Sequence, residues 1–77
     1  MDWHHYIVSD PDILMGKATV RGTRISVELV LDDLASGRTE AQIASEYVLD
    51  MNAVRAAVDY ASDLTRRDSQ QPLARTA

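Results

Sequence analysis

The chain has no cysteine, and at 77 residues that absence constrains it more than any other feature. A domain of this size draws only about 3–5 kcal/mol from a single core, so small folds usually add disulfides, a metal or oligomerisation. Disulfides and thiolate zinc sites are excluded here. The apolar inventory is modest as well. It holds ten alanines, one tryptophan and no phenylalanine, so the core must be small and aliphatic. The expectation is one domain, completed as a homodimer or by another protein.

No apolar run approaches the ~20 residues of a membrane span. The opening "MDWHHYIVSD" lacks the basic start and apolar middle of a signal peptide. With the missing cysteines, these features make the cytoplasm the expected location.

Charge is unevenly spread around a net −4. Residues 1–25 balance. Residues 26–50 set Glu28, Asp32, Asp33, Glu40, Glu46 and Asp50 against Arg38 alone, and residues 51–77 are slightly basic through Arg55, Arg66, Arg67 and Arg75. Neutralising phosphates supplies most of the affinity for DNA, so this balance argues against tight binding by a lone monomer.

The pattern predicts a mostly α fold: a short N-terminal β region, then three helices with a helix-turn-helix, homeodomain-like core. "WHHYIV" at 3–8 is aromatic and β-branched, as in a strand, and "SDPD" at 9–12 ends it. Thr19, Val20 and Ile25 flank Gly22, which suggests a second strand or two strand pieces around a turn. Gly22 is expected there for a positive φ or a close backbone approach. Ser26 caps the first helix, whose stripe is Val27, Val30, Leu31 and Leu34, and Gly37 stops it. Thr39 and Gln42 form a capping box for the second helix, which turns Ile43, Ala44 and Tyr47 inward. Asp50 caps the third, with a stripe of Val54, Ala57, Val58, Ala61 and Leu64. One domain over 1–65 and a polar flexible tail over 66–77 are expected.

Two short helices joined by about three residues suit a helix-turn-helix. Many such turns need a residue with positive φ, and Val48 stands there. A β-branched residue disfavours that region, so another turn form is expected. On the third helix, Asn52 and Arg55 are candidate readers of adenine and guanine edges, while Asp59 would repel phosphate.

Residues 9–61 resemble the bacterial and archaeal domain of unknown function 433 family. The resemblance is carried by "GK" at 16–17, "RGTRISV" at 21–27 and Gly37. It departs at Ala18, Ser26 and Val48, where proline is common, and at Asp50-Met51-Asn52, where a threonine-capped start is usual. These departures touch loop stiffness and capping. The resemblance implies a helix-turn-helix-like fold behind an N-terminal strand region. It also implies an antitoxin of a type II toxin–antitoxin pair, one that binds and inhibits a PIN-like nuclease toxin and autoregulates its operon by binding operator DNA. The alternatives are a stand-alone DNA-binding regulator and a plain protein-interaction module.

Arg21 and Arg24 carry two open readings. Either they fit out a turn, pairing with Asp10, Asp12 or first-helix carboxylates or bonding backbone carbonyls, or at least one reaches outward. An outward arginine can meet DNA phosphate or the acidic metal pocket of a PIN-like nuclease, since a planar guanidinium suits bidentate pairing. Arg21 joins Asn52 and Arg55 as a DNA-binding candidate. Arg24, Arg66 and Arg67 are the partner-binding candidates, the last two as part of a tail that orders on a toxin. Trp3, Tyr6 and Ile7 either cover the core or join a homodimer through an open strand edge. His4 and His5, adjacent on a strand, would point to opposite faces and cannot easily share a metal. With no nucleophile–base pair and no phosphate-cradling glycine loop, neither catalysis nor a cofactor or metal is expected.

Overall fold

The apolar stripes of three helices decide the architecture of the chain, whose residues 2–67 are described by a computed structural model. The helices are α1 (Val27–Ala35), α2 (Glu40–Tyr47) and α3 (Met51–Arg67). Val27 and Val30 from α1, Ile43 and Ala44 from α2, and Ala53, Val54, Ala56 and Ala57 from α3 meet in one buried core. Four of these are alanines, and their small side chains let α3 pack closely against both α1 and α2. The core therefore gains density rather than bulk, as the composition requires. The face of α3 differs from the expected stripe. Val54 and Ala57 are buried, but Ala53 and Ala56 join them, and Val58 and Leu64 stay 40% exposed. The helix is seated on its alanine side because only that side lets two neighbours approach together.

The helix ends follow from local chemistry. The Ser26 hydroxyl accepts from the Leu29 N–H at 3.0 Å. Thr39 and Gln42 form the reciprocal capping box at 3.1 and 2.8 Å. Asp50 accepts from the Asn52 N–H at 2.7 Å. Each cap satisfies a donor that the first helical turn leaves orphaned, worth about 1 kcal/mol. Past α1, Gly37 takes φ +101°, and the Arg38 N–H reaches back to the Asp33 carbonyl at 3.1 Å. This is the six-to-one bond of a Schellman stop.

The turn between α2 and α3 corrects an expectation. Val48 does adopt the left-handed conformation, φ 54° and ψ 51°. The Leu49 N–H bonds the Ala44 carbonyl at 2.8 Å, again six to one, and Leu49 packs against the core. Val48 itself is 90% exposed, so its branched side chain meets no neighbouring layer. Partial burial of Leu49 against the core and the recovered hydrogen bond offset the backbone strain.

The N-terminal region also differs from expectation. Trp3–His5 form a 3₁₀ turn, not the start of a strand, with the Asp2 carboxylate capping the His4 N–H. β1 is only Ile7–Ser9, antiparallel to β2 (Ala18–Val20), with Ile7 opposite Val20. A further bridge joins Thr19 to Ser26, so the strand pieces on either side of Gly22 do pair. A second 3₁₀ turn, Leu14–Gly16, links the strands. Among the described residues, no helix is long and apolar enough to cross a membrane.

Candidate functional site

The segment 20–26 is built as a tight turn. The Thr23 N–H bonds the Val20 carbonyl at 3.0 Å, placing Gly22 third of four with φ +77°. That position demands positive φ in a type II turn. A Cβ on Gly22 would meet nothing within 4 Å, so backbone conformation, not crowding, requires the glycine. Thr23 locks the turn twice: its hydroxyl donates to the Val20 carbonyl at 2.8 Å and accepts from the Ile25 N–H at 3.0 Å. The Val20 N–H then closes onto the Ile25 carbonyl at 2.9 Å.

The two arginines of this turn have different surroundings. The Arg21 guanidinium donates to the His5 and His4 carbonyls at 3.0 and 3.2 Å, tying the first 3₁₀ turn to the loop. Those are backbone carbonyls, as one of the two sequence readings allowed. Arg24 is exposed, and among the described residues no hydrogen bond or ion pair engages it. Most other described cations have partners. Lys17 lies 3.7 Å from Glu28, Arg55 lies 3.4 Å from Glu40, and Arg38 pairs with Glu46 and, at 3.8 Å, with Asp33.

On the helix-turn-helix face, Asn52 is exposed in the first turn of α3 and Arg55 follows one turn later. The Arg55 guanidinium is directed to Glu40 of α2, and the two line a shallow hollow with Leu34 and Val58. Asp50 caps the same helix end. The two candidate base readers are thus set among carboxylates.

Arg66 and Arg67 lie within α3, which continues past residue 65, rather than in a tail. Arg67 pairs with Asp63 one turn back at 3.1 Å. The rest of the expected 66–77 tail, residues 68–77, lies outside the described residues.

The N-terminal aromatics cover the chain's own core. Ile7 is 4% exposed and buried among core residues. Trp3 meets Tyr60 of α3 edge to face at 4.8 Å and donates from Nε1 to Asp63 at 3.4 Å, while Tyr6 packs on the core. His4 and His5 sit on a turn, not a strand, and both face Asp2, at 2.6 and 3.9 Å. The His4 contacts hold the Asp2 carboxyl below its ordinary value. Among the described residues, no group of three His, Cys, Asp or Glu side chains is placed to hold a metal ion.

One cluster escapes sequence reasoning. The Tyr47 hydroxyl donates to Asp33 at 2.7 Å, and Arg38 bridges Asp33 to Glu46. The Asp33 carboxylate raises the Tyr47 pKa because its hydrogen bond favours the protonated phenol. The network ties the end of α1 to α2. Its only trace in the sequence is a polar tip on a residue of the inward face.

The family model described as "Protein of unknown function (DUF433)" matches residues 7–61, well over half of the chain. No curated protein and no solved structure matches it. The matched span takes in both strands, the Gly22 turn, α1, α2 and the first part of α3. The chain belongs to the DUF433 family.

Proposed function

We propose that the chain is the antitoxin of a type II toxin–antitoxin pair, a cytoplasmic binding protein without catalysis that inhibits a PIN-like nuclease by direct contact. Arg24 carries this reading. It is an exposed guanidinium without a partner among the described residues, held on a turn that Gly22 and Thr23 fix in shape. The backbone of such a turn needs no ordering on binding, and a planar guanidinium suits bidentate pairing with carboxylates, the groups a PIN-like metal pocket offers. The surroundings of α3 favour a protein partner over nucleic acid, because Arg55 is paired with Glu40 and Asp50 stands at the helix start.

Operator binding is a second activity of the same molecule. The exposed Asn52 on the second helix of a helix-turn-helix supports it. The acidic balance means that DNA affinity would rise from bivalency, through a homodimer or the complex with the toxin.

The test is affinity purification of the tagged protein from its native host, with mass spectrometry of what co-elutes. A stoichiometric PIN-like protein is the expected result. A dimer carrying only nucleic acid would replace this reading with that of a stand-alone regulator.

A further inference from the structure

We infer that a groove between α1 and α3 docks an amphipathic helix with basic borders, supplied by a protein partner. This contact is separate from the Arg24 turn and does not depend on the partner being a nuclease.

The groove follows from a mismatch in helix length. With 17 residues α3 runs about 25 Å, whereas the 9 residues of α1 run about 14 Å. The later turns of α3 therefore extend past the packed core. Tyr60, Ala61 and Leu64 there face Val27 and Leu31 of α1 across a trough of about 370 Å³. Leu64 is 40% exposed, although it is an apolar residue facing apolar neighbours. An apolar trough between two helices suits a helix with apolar residues at i, i+3, i+4 and i+7.

Charge selects the occupant. The border carries Lys17, Glu28 and Asp32. Lys17 is 3.7 Å from Glu28, which cancels that pair. Asp32, one turn further along the same ridge of α1, is exposed and has no ion-pair partner among the described residues. The border is thus anionic, on a chain of net charge −4. A helix flanked by lysine or arginine gains from this field, whereas a second copy would bring like charge to it.

The experiment titrates methyl-labelled full-length protein with a helical peptide of about 14 residues, roughly four turns, made only of leucine and lysine. A leucine–glutamate peptide of the same pattern is the counterpart. The Leu31 and Leu64 methyl signals should shift saturably with the lysine peptide, at an affinity at least about tenfold above the glutamate peptide. Asp32→Lys should lower that affinity about tenfold, while Asp12→Lys, an exposed carboxylate outside the groove, should leave it unchanged. Equal affinity for the two peptides, shifts centred elsewhere, or an equal loss from Asp12→Lys would overturn the inference. So would a groove already filled without peptide. Leu31 and Leu64 signals that change with protein concentration, alongside a dimer in sedimentation, would assign it to a second copy. Signals that move in full-length Leu73→Ala would assign it to the chain's own segment.

Discussion

At the residue scale, the chain holds two local conflicts with measurable consequences. Val48 sits in the left-handed region, which costs a side chain with a Cβ about 1–2 kcal/mol. It is 90% exposed, so glycine there forfeits almost no packing. After allowing for the extra freedom glycine gives the unfolded chain, Val48→Gly should stabilise the protein by about 0.5–1 kcal/mol in urea unfolding. A loss of stability would mean that the valine side chain is used in the fold. Thr19 is the second conflict. It is fully buried, and its hydroxyl has no hydrogen-bond partner among the described residues. An unmade hydroxyl bond costs about 1–3 kcal/mol, so the near-isosteric Thr19→Val should be neutral or should raise the melting temperature. Neither conflict is legible in sequence with its sign. A β-branched residue at a turn argues for a different turn until Leu49 is seen to drop into the core behind it. A threonine in a strand looks ordinary until both its sides are covered.

Tyr47 adds a pH dependence. Its folded pKa lies above 10 because Asp33 accepts its hydrogen bond. A raised folded pKa contributes stability that is complete below the unfolded value and is lost as pH rises through the folded one. The stability difference between the wild type and Tyr47→Phe should therefore be constant at neutral pH and shrink above about pH 10. A difference that widened there would contradict the Asp33 contact.

At the scale of elements, the helix starts were the most legible part of the chain. Ser26, Thr39 with Gln42, and Asp50 mark the three helix starts by side-chain chemistry that acts within four residues. Local rules suffice where the interaction is local. Thr39→Ala should cost about 1 kcal/mol, and adding Gln42→Ala should cost less than a second full increment, because the two bonds are reciprocal. Strictly additive losses in chemical denaturation would contradict the capping box.

The N-terminal segment was less legible, for the opposite reason. "WHHYIV" has strand composition, but Asp2 caps a 3₁₀ turn and Arg21, sixteen residues away from His5, clamps its carbonyls. The seating of α3 on its alanines likewise depends on two neighbours arriving together, which no periodicity within α3 reveals. In the turn at 20–26, glycine's role was legible, since positive φ is a property of one residue. The division of labour between Arg21 and Arg24 was not, because it is decided by carbonyls distant in sequence.

At the scale of the whole molecule, the small aliphatic core is closed by Trp3, Tyr6 and Ile7 from the chain's own start. The aromatics that looked available for a dimer are largely engaged within the monomer. What the described residues leave open is different: an Arg24 without a partner among them, on a hydrogen-bonded turn, and an anionic trough beside the overhang of α3. Both are the proposed surfaces for a partner, and they differ in sign, so changes in salt or charge should affect them separately.

The most direct test of the central claim is the affinity of the co-purified partner for the wild type, Arg24→Ala and Arg21→Ala, measured beside their melting temperatures. Arg24→Ala should weaken binding by more than about tenfold, roughly the loss of one charge-assisted pair, with an unchanged melting temperature. Arg21→Ala should instead lower the melting temperature, because it releases the His4 and His5 carbonyls. Unchanged affinity in Arg24→Ala, or unfolding of that variant, would show that Arg24 serves the fold and not a partner.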